Sequence, residues 1–234
     1  MQRNIIFLIF FLFVISLASA CSKSEGDYGD NPYGHYEDDK MIGKVLEVNK
    51  GESSIVVDIS KWEKRNSKNP WTDEGYSYKA TITDETVIMH EDENKVSIGD
   101  IKNGQKVLVN PPRGDDFKGH PVEIILLEMS YEEKYARLLS HNDGFNVVVM
   151  YEDGKKLPKE MQESFYKNVL EILEGTEHRV NASWMRYDED YVVDFKEVLD
   201  IEQFPVLLVY DEEELLFKTY RVDELYKFFK DWGS

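Results

Sequence analysis

The alternation of hydrophobic and polar positions divides the chain into four stretches. Residues 5–17 form an almost unbroken apolar run, and residues 22–40 are polar with no apolar period. Residues 41–129 contain short apolar or alternating runs separated by Gly, Asn and Pro turns, which predicts β-strands. From residue 130 to the end, an apolar strand-like run alternates with segments of helical period, which predicts a mixed α/β region. The expected fold class is therefore α+β for the first folded part and α/β for the second.

Residues 41–129 are predicted to form a small antiparallel β-barrel. The segment 98–107, Ile-Gly-Asp-Ile-Lys-Asn-Gly-Gln-Lys-Val, has a turn, a glycine and then a strand. This order resembles the entry to a late strand of an OB-type barrel, and the region also resembles the β-rich domain of small lipoproteins of Gram-positive bacteria. The resemblance implies an OB-like β domain, a class that often binds oligonucleotides or oligosaccharides on one face.

Four aromatic residues are candidates for such a binding face. They are Trp62, Trp71, Tyr76 and Tyr78. The alternative is that two of them pack inside the barrel and two cover its ends. Trp62 and Trp71 are the residues that the sequence nominates for binding a solute or glycan.

Residues 130–234 carry the order strand, helix, strand, helix, strand, strand, helix. Ser130 with Glu133 is a capping box, which predicts the start of a helix. The apolar run 145–151 predicts a strand covered on both faces, and helices are predicted over 157–174, 191–199 and 222–232. The segment 203–209, Gln-Phe-Pro-Val-Leu-Leu-Val, resembles the proline-led strand of thioredoxins, whose proline is cis. The resemblance implies a thioredoxin-like domain; a trans proline at the start of a strand is the alternative.

The thioredoxin resemblance places redox chemistry where this chain has no sulfur. The stretch that corresponds to Cys-x-x-Cys is 156–159, with Lys156 and Lys159 at the two cysteine positions. Thiol–disulfide exchange needs a sulfur nucleophile, so the chain is predicted not to be an oxidoreductase. What the resemblance leaves is a peptide-binding shelf at Phe204 and Pro205, with Lys156 and Lys159 as cations near it. The alternative is that both lysines only solubilise the surface.

Cys21 is the only cysteine in the chain, and it follows a secretory pattern. Arg3 precedes the apolar run 5–17, and Ala18-Ser19-Ala20 leads directly to the cysteine, as expected for a cleavage site. This pattern resembles the lipobox of bacterial lipoproteins. It implies a signal peptide over 1–20, a lipid on Cys21, a flexible tether over 21–40 and attachment to the outer face of the plasma membrane. The alternative is an uncleaved anchor with a free thiol.

Composition excludes several function classes. The chain has 46 acidic and 28 basic residues, a formal net charge of −18, which repels nucleic acid phosphates. The five histidines form no His-Glu-x-x-His pattern, and the sequence has no Gly-x-Ser-x-Gly elbow. We therefore expect no enzyme activity, no cofactor and no metal. The predicted role is binding an envelope protein or peptide, with solute or glycan binding as the alternative and an enzyme of unrecognised chemistry as a third hypothesis.

Overall fold

Two β-sheets organise the residues that the computed structural model describes, which are 40–66, 74–113 and 116–232. These residues form a mixed α+β fold with two open, mixed sheets and five α-helices. The predicted signal peptide, Cys21 with the predicted tether up to residue 39, and Trp71 lie outside them. The two sheets fall on either side of the boundary predicted at residues 129 and 130.

The first sheet has seven strands in the order β4-β7-β5-β1-β2-β3-β6. In chain order they are β1 (Met41–Asn49), β2 (Ser54–Asp58), β3 (Ser77–Thr81), β4 (Val87–His90), β5 (Lys106–Asn110), β6 (Lys118–Gly119) and β7 (Glu123–Leu126). The pairs β4–β7 and β3–β6 are parallel, and the other four pairs are antiparallel. The strand-rich character of 41–129 is confirmed.

The closed antiparallel barrel expected for this part is wrong for the described residues, because the sheet is open. Closure would require β4 to pair with the far end of the sheet. The outer edge of β4 is instead covered by its own following turn: Val96 N donates to Ile88 O at 3.0 Å, and His90 N donates to Asn94 O at 3.0 Å. An edge whose backbone groups are already bonded has none to offer a closing strand.

A helix that the hydrophobic pattern did not predict lies beside this sheet. Helix α1 (Ser60–Asn66) lies in the region 41–129, for which only strands and turns were predicted. Its single buried residue is Trp62, which joins the core of the first sheet. One apolar position in seven residues gives too little helical period to detect from sequence.

The second sheet has four strands in the order β11-β10-β8-β9. They are β8 (Gly144–Tyr151), β9 (Arg179–Arg186), β10 (Val206–Tyr210) and β11 (Leu215–Thr219). Strands β8 and β9 are parallel, whereas β10 is antiparallel to both β8 and β11. The helices around this sheet are α2 (Tyr131–Tyr135), α3 (Glu163–Ile172), α4 (Phe195–Val198) and α5 (Val222–Trp232).

Strand β8 is the centre of the second core, as its apolar run predicted. Val147 and Val149 pack on the side of α3 and α5, and Val148 and Met150 pack on the opposite side. All four side chains are fully buried. A strand covered on both faces needs apolar residues at successive positions rather than at alternate ones.

Two helices are shorter in the structure than the sequence predicts. The helix expected from residue 157 begins at Glu163, because Pro158 leads instead into a separate 3-10 turn, Lys159–Met161. The helix expected from residue 191 begins at Phe195, where the Asp194 side chain accepts hydrogen bonds from the first turn. The Ser130 capping box and the terminal helix are confirmed.

Contacts between the two sheet regions join them within one compact unit. Lys106 of β5 is buried and forms an ion pair with Glu133 of α2 at 2.8 Å. Asn103 N donates to Asp190 O at 2.9 Å, and Val192 N donates to Asn103 O at 2.7 Å. The loop before β5 is therefore bonded directly to the loop after β9. In the described part of the chain, no helix is both long and apolar enough to span a membrane.

Candidate functional site

The predicted shelf lies where three strands of the second sheet end or begin. Tyr151 and Arg186 are the paired last residues of the parallel strands β8 and β9, and Pro205 immediately precedes β10. Phe204 and Pro205 are half-buried, and the peptide bond between them is cis. The carboxyl ends of parallel strands form a common location for ligand sites in open α/β sheets.

The backbone just before Pro205 has no partner within the described residues. Strand pairing of β10 begins at Val206, and the main-chain groups of Gln203 and Phe204 form no hydrogen bond there. Gln203 is exposed and Phe204 is half-buried, so both can be reached from solvent. Unpaired N–H and C=O groups in an accessible segment can bond to an added extended peptide.

An aromatic pair forms the side of the shelf. The rings of Tyr187 and Phe204 are 5.0 Å apart between centroids. Tyr187 Oη donates a hydrogen bond of 2.8 Å to Asp194 Oδ1, and the same carboxylate oxygen accepts from the backbone N–H of Lys196. The Tyr187 ring is therefore held by a residue that also begins helix α4.

The environment of the Tyr187–Asp194 hydrogen bond shifts the pKa values of both side chains. Burial, with a contribution from the Asp194 hydrogen bond, raises the pKa of Tyr187 to about 12. The hydrogen bond from Tyr187 lowers the pKa of Asp194. At neutral pH the phenol is a donor and the carboxylate is an acceptor, which is the state that holds the ring in place.

A cation that lies beside the shelf is Lys196, which the sequence analysis did not nominate. Lys196 Nζ lies 5.6 Å from the Phe204 ring centroid and 4.0 Å from Glu152 Oε1. Lys156, by contrast, lies 3.8 Å from Asp153 and is exposed. Lys159 is exposed beside a neighbouring cleft that also includes Leu157 and Trp184. No contact of the described residues brings Lys156 or Lys159 to Phe204, so their part in the site stays a prediction.

A cleft of about 630 Å³ continues from Tyr187. Its lining is strongly charged and consists of Arg137, Glu152, Arg186, Tyr187, Asp188, Glu189 and Asp190. Arg186 Nε donates to the backbone oxygen of Glu152 at 3.2 Å. The guanidinium of Arg137 lies 5.4 Å from the Tyr191 ring centroid.

The aromatic residues of the first sheet divide into buried and accessible ones. Trp62 and Tyr78 belong to the core, with 8% and 3% of their surfaces exposed, so neither offers a ring face to solvent. Tyr76 is half-buried and stacks on Phe117, with centroids 5.9 Å apart. The guanidinium of Arg113 lies 4.1 Å from the Phe117 centroid. Phe117, which the sequence analysis missed, is 39% exposed.

Metal ligands are not assembled in the part of the molecule that is described. No group of three or more His, Cys, Asp or Glu side chains there has a geometry that could hold an ion. Two acids of the run from Asp188 to Asp190 have other partners: Asp190 lies 3.4 Å from Lys102 Nζ, and Asp188 accepts from Asn103 Nδ2 at 2.9 Å.

Comparisons with known proteins give no family for this chain. The sequence matches no protein-family model. A search of curated proteins likewise finds no relative.

Proposed function

We propose that this protein is a non-catalytic lipoprotein of the bacterial cell envelope that binds an extended peptide segment of an envelope protein. The peptide would lie along Gln203 and Phe204, with Pro205 at its end, beside the Tyr187 ring. The observation that carries the proposal is the set of unpaired backbone groups of Gln203 and Phe204 at an accessible strand end. Strand addition uses such groups for affinity and neighbouring side chains for specificity.

The strand order supports a thioredoxin-like assignment for residues 130–234. The sheet order β11-β10-β8-β9, with β8 and β9 parallel and β10 antiparallel, agrees with the element order that carries the resemblance. The positions that would hold redox cysteines are Lys156 and Lys159. Because thiol exchange needs sulfur, peptide binding without chemistry is the activity that this arrangement favours.

Lipid attachment at Cys21 belongs to the same proposal. It rests on the sequence pattern of residues 1–21 and puts the folded part at the outer face of the plasma membrane. A thioether-linked diacylglycerol supplies two acyl chains, and firm membrane attachment requires more than one. The peptide partner is therefore expected among proteins that reach this surface.

The test uses the full chain in detergent and a synthetic library of random heptapeptides. Selected peptides are measured by fluorescence anisotropy against the wild type, Phe204→Ala and Phe117→Ala. We expect Phe204→Ala to weaken binding about tenfold, since the variant loses the ring that packs on Tyr187. Phe117→Ala removes an exposed ring beside the first sheet, away from the shelf, and should leave the affinity unchanged. Recovery of no binding peptide, or equal affinity for Phe204→Ala and wild type, would contradict the proposal.

Binding of a solute or glycan is the second candidate. The observation that favours it is the accessible Tyr76–Phe117 stack, because aromatic faces are suited to apolar sugar faces. The burial of Trp62 and Tyr78 reduces the aromatic surface that this hypothesis needs. If envelope glycans bind the wild type and Phe204→Ala equally but bind Phe117→Ala weakly, this candidate replaces the first.

A further inference from the structure

We infer that the peptide bound at the shelf carries a carboxylate, either an acidic side chain or a free C-terminus, which is received by Arg186 and Arg137 in the adjoining cleft. The inference rests on the proposed peptide-binding function and names the chemistry of its ligand. It differs from the sequence expectation, which assigned the cations of the site to Lys156 and Lys159.

The two arginines share one cleft and lack carboxylate partners. Over the residues that the structure describes, neither Arg137 nor Arg186 has an ion pair within 4.0 Å, and both are exposed. Other exposed cations, Arg179 among them, also lack an ion pair in the described part of the chain. What distinguishes Arg137 and Arg186 is that both guanidinium groups line the same cleft as Tyr187.

The carboxylates of the same cleft are largely occupied by other partners. Asp190 lies 3.4 Å from Lys102 Nζ and 4.0 Å from Lys50 Nζ. Asp188 accepts hydrogen bonds from Asn103 Nδ2 and from its own loop. Glu152 lies 4.0 Å from Lys196 Nζ. Of the four acids in the lining, Glu189 alone has no hydrogen-bond or ion-pair partner among the described residues, and none of the four has a carboxylate oxygen within 4.0 Å of a nitrogen of either arginine.

The geometry of Arg186 leaves its terminal nitrogens available. Its Nε is already bonded to the backbone oxygen of Glu152, which fixes the direction of the guanidinium plane. The two terminal nitrogens then present a planar pair of donors, the arrangement that matches a carboxylate. Arg137 follows helix α2 in the chain, and its guanidinium lies against the Tyr191 ring.

Tyr187 is the residue through which the cleft adjoins the shelf. Tyr187 lines the cleft and also packs against Phe204. Arg186 lines the same cleft, so a peptide beside the Tyr187 ring is expected to reach its guanidinium. The net charge of −18 makes most of the protein surface unfavourable for an anion. Carboxylate recognition is therefore expected to be local to these two arginines.

The experiment uses the same full chain and random heptapeptides in two formats, one with a free C-terminal carboxylate and one with a C-terminal amide. We expect selection either to require the free C-terminus or to enrich Asp or Glu at a fixed position. These two results identify which carboxylate is bound. Replacing the carboxylate, by amidation or by Asn or Gln, should weaken binding about tenfold.

Arg186→Gln and Arg137→Gln are compared with Arg179→Gln. Arg179 is an equally exposed arginine at the opposite end of the same strand, β9, so it is a matched control. We expect the first two variants to lose the preference for a carboxylate and the third to keep it. If selected peptides bind unchanged after the carboxylate is removed, or if all three variants behave alike, the inference is wrong while peptide binding stands. If no peptide binds at all, both fail.

Discussion

Tyr187 links three features of the candidate site that are far apart in sequence. Its ring packs against Phe204, its hydroxyl bonds to Asp194, and its backbone N–H donates to Tyr151 O at 2.7 Å. The residue therefore extends the β8–β9 pairing by one position and orients the side of the shelf. The pKa of Tyr187, about 12, lies above the ordinary tyrosine value of 10, so its phenol titrates at a higher pH in the folded chain than in the unfolded chain.

We predict that the free energy of unfolding falls between pH 10 and pH 12, in part through Tyr187. Below pH 10 the phenol is protonated in both states. Between pH 10 and 12 the unfolded chain loses this proton and the folded chain keeps it, so rising pH favours unfolding. Tyr187→Phe should make the decline shallower in urea titrations at each pH. Asp194→Asn should do so only partly, since burial still acts on the phenol. A decline of equal slope in Tyr187→Phe and wild type would contradict the prediction.

At the scale of elements, the loop before β5, which contacts the second sheet region, requires a glycine at one position. Gly104 has φ of 79° and follows Asn103, whose backbone bonds to Asp190 and Val192. A Cβ atom added at Gly104 would lie 2.2 Å from the Tyr191 ring. Only a residue without a side chain fits both the backbone conformation and the approach of the ring.

We predict that Gly104→Ala lowers the free energy of unfolding by about 2 to 3 kcal/mol, because it combines an unfavourable φ with a clash against Tyr191. Urea denaturation followed by circular dichroism measures the change. Gly51→Ala is the control, since a Cβ there would approach no atom closer than 3.6 Å, and its effect should stay within about 0.5 kcal/mol. Equal stability of the Gly104 variant and wild type would show that the loop can move away from the ring.

The sequence predicted elements better than it predicted the site, for a physical reason. Strand β8 and the Ser130 helix are determined by neighbouring residues, through a continuous apolar run and a capping box, and both are confirmed. Helix α1 was missed because Trp62 is its only buried residue. Lys196 and Tyr187 meet Phe204 only through tertiary packing. No local sequence pattern shows that Lys196, rather than Lys156, lies beside Phe204. Lys156 follows the end of β8 in sequence, but in the structure it lies close to Asp153 instead.

At the scale of the whole molecule, the proposed function gives the two ends of the chain different tasks. Residues 1–21 are proposed to direct export and attachment, whereas the candidate site lies in the second sheet, after residue 150. With residues 21–40 as the proposed tether, we expect the folded part to reach its partner from a fixed anchor rather than by free diffusion. This division of tasks can be tested without knowing the partner.

We predict that mass spectrometry of the protein purified from membranes finds an N-terminal Cys21 carrying a diacylglycerol thioether. The Cys21→Ser variant should be absent from the processed, lipid-modified fraction, because the serine oxygen does not replace the thiolate nucleophile. Peptide binding by that variant should be unchanged, since the site lies elsewhere. A mature chain that begins at another residue and keeps an unmodified Cys21 thiol would contradict both attachment and location.

The covered edge of β4 has a consequence for contacts between copies of this protein. Crowded copies meet repeatedly in similar orientations, and an open seven-stranded sheet would then invite edge-to-edge association into aggregates. The turn that bonds Val96 to Ile88 blocks one end of that sheet, and β6, with two residues, offers little backbone at the other. Neighbouring copies can therefore be packed closely without polymerising through this sheet.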